Sequence, residues 1–146
     1  MQIQTTRFGE LEIEPQDILE FPAGLVGFEH CRTWVLLADA QNDALGWLQS
    51  TEQAEVAFAV VSPRRYVDGY QARVPRSEIA QLELAELSSA RVIVIVGKND
   101  RSATLNLKAP LVINLDRRLG RQVVVNGDAP LQFELECQRF LLKKSA

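Results

Sequence analysis

The chain has 146 residues, with 16 Lys and Arg against 19 Asp and Glu, for a formal net charge of −3. Leu, Ile, Val and Phe supply 46 of them, which excludes intrinsic disorder and predicts one globular domain. The acidic balance argues against a protein whose main task is neutralising phosphates, and no apolar run approaches the length of a bilayer-spanning helix.

The N-terminus MQIQTTRFGELE has neither the basic start nor the apolar stretch of an export signal. Cys31 and Cys137 are too few for a disulfide framework, so a cytoplasmic protein with reduced thiols is expected. Charge is unevenly spread along the chain. Residues 1 to 62 carry a net charge of −8 and residues 63 to 146 carry +5. Such a split can steer charged partners if the two halves present different surfaces.

In chain order the pattern is mostly β. Residues 2 to 7 read as a strand, Gly9 as a turn, and E-L-E-I-E at 10 to 14 as a strand with one wet face. Glu10, Glu12 and Glu14 are placed on that wet face, because buried together they would repel one another. A strand at about 17 to 21 leads into FPAGLVGFE (21 to 29), which Pro22, Gly24 and Gly27 force into an irregular loop. Short strands follow at 33 to 38, 44 to 50 and 55 to 62. Pro75, Ser77 and Glu78 then introduce a partial helical spacing through Ile79, Leu82 and Leu87. We expect one short helix there, capped by Ser77. RVIVIV (91 to 96) and PLVINL (110 to 115) are rich in β-branched residues and read as strands buried on both faces. D-R-R-L-G at 116 to 120 predicts a hairpin into RQVVV (121 to 125), with Gly120 supplying a positive φ. The stretch after Pro130 mixes strand and helix spacing, so a domain over residues 1–130 with a C-terminal tail over 131–146, helical or frayed, is expected. About ten short strands and one short helix predict an all-β, barrel-like or roll domain.

The catalytic inventory is thin. His30 is the single histidine, and its neighbour Cys31 would point the other way along an extended chain, so a Cys–His dyad is disfavoured. There is no nucleophile elbow and no phosphate-cradling glycine loop. His30, Cys31 and Cys137 fall short of a zinc ligand set. We therefore predict no catalytic residue, no metal and no cofactor, with both cysteines as packing residues. Phe8, Phe21, Phe28, Trp47 and Phe58 are expected to fill the core. Gln49, Asn106, Lys108 and Asn114, polar residues inside apolar runs, either satisfy buried backbone groups or face a partner. Pro22, Gly24, Gly27, Pro110 and Gly120 are expected to fix backbone shape.

Several blocks together resemble the flagellar assembly factor FliW family: FGELEI (8 to 13), ILEFPAGLVGFE (18 to 29), WVLL (34 to 37), WLQS (47 to 50), AFAVVSP (57 to 63), TLNLKAPLVINL (104 to 115) and GRQVVV (120 to 125). The resemblance implies a small β-barrel-like bacterial protein without catalytic activity. It implies two protein partners, flagellin and the translational repressor CsrA. A protein of this kind holds flagellin in the cytoplasm and, once freed by flagellin export, binds CsrA and relieves its repression of flagellin synthesis. Direct nucleic-acid and membrane binding are not expected, and the free protein is expected to be a monomer. The partner-binding residues expected are Leu25, Val26 and Glu29 in the glycine-rich loop, Gln49, Arg64, Tyr66 and Tyr70 in the RRYVDGY stretch, and Asn106. The alternative reading is a β-barrel module that binds RNA or a small anionic ligand through the basic second half. An enzyme using His30 with Cys31 or Glu29 ranks last.

Overall fold

The computed structural model describes residues 1–135. Its strands in chain order are β1 (Gln2–Thr5), β2 (Gly9–Glu12), β3 (Ile18–Glu20), β4 (Thr33–Ala38), β5 (Leu45–Ser50), β6 (Ala57–Val61), β7 (Ala90–Lys98), β8 (Ala103–Leu105), β9 (Leu111–Asn114), β10 (Leu119–Gln122) and β11 (Phe133–Glu134). One α-helix, α1, spans Arg76–Ala80. Hydrogen bonding runs β7-β6-β5-β4-β3-β10-β9, and β9 pairs again with β7. Seven strands thus close into a barrel, which leaves that ring without an unpaired edge. All its pairings are antiparallel except β3–β10. The far end of β7 carries β8, which in turn carries β11, and β1–β2 form a separate hairpin.

The inside of the barrel follows from alternation. On β5, Leu48 stands opposite Leu36 on one side and Phe58 on the other. These three join Leu19, Phe21, Trp34, Val60, Ile93, Leu111 and Ile113 in the main core. Neighbours Trp47 and Gln49 point outward, as a two-residue repeat requires. Three smaller apolar clusters cover the outside. Ile3 and Ile13 of the hairpin segment pack on Val35. Leu82, following α1, packs on Val112 and Val123. Leu105, Leu107 and Leu135 pack on Val61 and Val94, with Tyr66 and Tyr70 at the margin. A sheet of this size therefore buries both faces along much of its girth.

Two buried polar side chains donate to backbone carbonyls. Gln49 is fully buried, and its Nε2 donates to the carbonyls of Ser50 and Val56 at 2.9 and 3.1 Å. Asn114 Nδ2 donates to the Leu82 carbonyl at 2.8 Å, and its Oδ1 accepts the Arg117 N–H. Both polar side chains do structural work inside apolar runs.

Several sequence expectations held. Glu10, Glu12 and Glu14 are exposed, Gly9 has φ +72°, and Cys31 is buried. Others need correction. The positive φ of the β9–β10 hairpin belongs to Arg118 (φ 56°), whereas Gly120 lies within β10. Gly120 is glycine because the Phe21 ring occupies the space a Cβ would need. The helix is short, its N-cap is Pro75, and Ser77 makes no cap hydrogen bond. β8 had no counterpart in the sequence reading, because three residues between polar stretches carry too little alternation. Phe8 and Trp47 lie outside the core, stacked edge to face at 5.9 Å, with the Arg7 guanidinium 4.2 Å above the indole. Within the expected tail, Phe133–Glu134 pair with β8 and Leu135 is buried. Cys137, Phe140 and Leu141 lie outside the described residues.

Candidate functional site

Strand direction gives the barrel two unlike ends. At one end β3 and β10 finish and β4 begins, so the 21–31 loop crosses it. This loop turns inward. Phe21 and Cys31 are fully buried, Leu25 is 2% exposed, and Phe28 packs against the core. Trp34 Nε1 donates to the Cys31 carbonyl at 3.1 Å. Gly24, at φ +68°, leaves no room for a side chain: a Cβ there would lie 2.6 Å from Glu29 Cα. The loop is pinned by the Val26 N–H to Gln122 Oε1 at 2.8 Å and the Gly27 N–H to Glu29 Oε2 at 2.9 Å. The second bond leads the causes that hold the Glu29 carboxyl below its ordinary pKa.

At the other end β4 and β6 finish and β5 and β7 begin. No apolar loop among the described residues fills this mouth. Leu36, Val60 and Ile93 line a cavity of about 350 Å³, with Asp43, Arg65 and Arg91 at its rim. A second cleft of about 540 Å³ adjoins it, bounded by Arg64, Tyr70, Leu87, Arg91 and Val92. Ser62 and Arg91 line both clefts, which meet at these residues and together make up the open-end groove. Chain geometry explains how the groove is built. The short 3-10 turn at Pro63–Arg65 carries the chain from β6 onto the Val61–Leu105 cluster, and another at Leu87–Ser89 brings it back into β7. Leu87 is 68% exposed. Neither Arg64 nor Arg91 forms an ion pair among the described residues.

The expected partner residues distribute unevenly over this frame. Arg64 and Tyr70 line the open groove. Val26, 72% exposed, and Glu29, also exposed, sit at the plugged end. The six residues of β4 separate the two ends by roughly 17 Å along the strand. Leu25 and Gln49 are corrected: rather than standing at the surface both are buried, one as the plug and the other as a backbone brace. Tyr66 packs against the Val61–Leu105 cluster. Asn106 braces its own turn, its Oδ1 accepting the Ala109 N–H at 3.1 Å. Tyr70 Oη donates to the Leu107 carbonyl at 3.0 Å, and burial pushes its phenol pKa up. The sequence reading did not single out Leu87 or Arg91, because the groove joins segments far apart in the chain. The one local signal was Arg91, a charge opening an otherwise apolar strand.

His30 is exposed at the plugged end, and the described residues contain no cluster of three or more His, Cys, Asp or Glu placed to hold a metal. No helix among the described residues is long and apolar enough to cross a membrane. The site offers a shaped surface, with guanidinium groups and Asp43 beside apolar side chains.

Comparison with known proteins agrees with this architecture. A family model described as FliW protein matches residues 2–135. The flagellar assembly factor FliW of Natranaerobius thermophilus is 36% identical over 129 residues, covering 86% of this chain and 85% of that protein. The flagellar assembly factor FliW of Azoarcus sp. is 39% identical over 134 residues, covering 86% and 92%. A solved structure described as the crystal structure of the flagellar assembly factor FliW superposes with a TM-score of 0.86 at 28% identity, covering 95% of this chain and 99% of that one. A barrel with these sequence blocks in this order, matched from its first strand to its last, belongs to the FliW family.

Proposed function

We propose that this chain acts in flagellar assembly as a binding protein: it takes up flagellin and, when free of flagellin, binds the translational repressor CsrA and relieves repression of flagellin synthesis. The observation that carries this reading is family membership over residues 2–135, with relatives named as flagellar assembly factors. The two unlike ends of the barrel are compatible with it, since exchange between partners needs recognition surfaces and no group that makes or breaks bonds. Mutually exclusive partners lower each other's apparent affinity, so flagellin export alone can release the protein to its second partner. The exposed Glu10, Glu12 and Glu14 offer a charge complement to a repressor that must carry basic surface to bind RNA.

The test is reconstitution. Purified chain is mixed with flagellin monomers, passed through a sizing column, and then challenged with CsrA. The reading expects a flagellin complex, a CsrA complex in flagellin's absence, and loss of CsrA from the complex as flagellin is added. A chain that elutes alone in both mixtures would overturn it.

A further inference from the structure

We infer that the open-end groove is a docking site for an extended, acidic and apolar segment of a protein partner, held by Arg64 and Arg91 over a floor that includes Leu87 and Val92. This rests on the reading of the chain as a protein-binding module, and it assigns the chemistry that module selects. Three observations carry it. The two clefts of the groove meet at Ser62 and Arg91, between the barrel mouth and the 63–72 stretch. Its floor includes an apolar side chain, Leu87, left 68% exposed beside the two arginines. Arg64 and Arg91 stand exposed at the groove without ion pairs among the described residues. Guanidinium groups bind carboxylates in a bidentate fork, so they fix both position and direction of an acidic strand laid along the groove.

A nucleic acid fits less well. Asp43 lines the mouth and Asp68 lines a cleft beside Arg64, so the positive charge is interrupted and suits a segment with a few carboxylates better than one with a phosphate at every nucleotide. Tyr70 is the one aromatic among the described residues lining the groove, and part of its ring packs with the Val61–Leu105 cluster, so these residues offer no row of rings for successive bases to stack on. Widely spaced carboxylates separated by apolar side chains match the groove on both counts.

The experiment uses the full chain and a fluorescein-labelled peptide of alternating leucine and glutamate, read by fluorescence anisotropy. Controls are the same peptide with lysine for glutamate and a labelled single-stranded RNA. The glutamate peptide is expected to bind, more weakly as salt is raised. Arg64→Glu with Arg91→Glu should weaken it by about tenfold or more, as loss of two charge contacts at a partly desolvated site does. Arg64→Gln with Arg91→Gln, which only removes charge, should weaken it less. An unchanged melting temperature shows both variants folded. Failure of the glutamate peptide to bind, equal binding of the lysine peptide, equal binding by the reversed variant, or preference for RNA would each overturn the inference. Capture of flagellin by wild type and charge-reversed variant alike would overturn the groove and leave the flagellar reading standing. Binding of the peptide by a chain that ignores both flagellin and CsrA would do the opposite.

Discussion

The two ends of the barrel solve the same problem in opposite ways. Seven strands around a core leave two mouths where apolar side chains would meet water. At one mouth the chain supplies its own cover, with Leu25 and Phe28 turned inward and Gly24 making the sharp bend possible. At the other, Leu36, Val60 and Ile93 are left lining a cavity ringed by arginines and Asp43. The first arrangement spends its residues on stability. The second leaves its mouth open beside the exposed Leu87, with Leu36 half-buried and Val60 and Ile93 buried in the core, which suits a protein that works by being occupied.

That contrast can be broken from either side. Phe21→Ala, which empties the plugged end and the space against Gly120, should cost about 4 kcal/mol of stability in urea unfolding. Gly24→Ala should cost about 2 kcal/mol by the same measurement, since it combines a positive φ with a Cβ against the Glu29 backbone. At the open end, Leu87→Ser should change stability by no more than about 0.5 kcal/mol, because an exposed side chain has little burial to lose. If Leu87→Ser destabilised the fold as much as Phe21→Ala, the ends would not differ in the way described.

The smallest effects expected are in acid, and they sharpen the comparison because each end has its own carboxylate. Glu29 accepts the Gly27 N–H at the plugged end, and Asp39 accepts the Trp47 indole N–H in the β4–β5 turn at the open end. Both carboxyls are held below their ordinary values, 4.5 for Glu29 and 3.8 for Asp39. A depressed pKa means the folded state binds protons less readily than the unfolded chain. Each therefore contributes stability that is fully present above its ordinary value and is lost as pH falls through the depressed one. Glu29→Gln and Asp39→Asn should each flatten the fall of melting temperature below about pH 4.5, and leave it unchanged in slope near neutrality.

Much of the barrel was legible because its strands carry their own signature. The runs at 33 to 38, 44 to 50, 55 to 62 and 91 to 96 became β4, β5, β6 and β7 within a few residues of the expected bounds. Where reading failed, the cause lay in contacts between distant residues. Gly120 looked like a turn glycine, yet its requirement comes from Phe21, at the far side of the sequence. Arg118 takes the positive φ instead, a choice local preference disfavours and the hairpin imposes. Trp47 looked like core, but its register opposite Leu37 and Ala59 sets it on the outer face, where Arg7 and Phe8 cover it. The candidate site was half legible for the same reason. Arg64 and Tyr70 sit in one stretch and were visible together, whereas Leu87 and Arg91 join them only after β7 is laid beside β6. Leu25 and Gln49 were misjudged because burial, which decides whether a residue can touch a partner, is a property of the closed barrel.

Ring closure has a consequence for synthesis. The strands β3 to β6 come from the acidic first half of the chain, and β7, β9 and β10 come from the second. Only two seams join the halves, β6 with β7 and β3 with β10. Until the ribosome has released β10, the nascent first half is a curved ribbon with both borders open, unable to hide its apolar side. Joining the remote border must wait for nearly the whole polypeptide, so assembly is slow relative to a fold knit from near neighbours. A fragment ending before Leu119 should yield no smaller working cylinder, only an unsealed one.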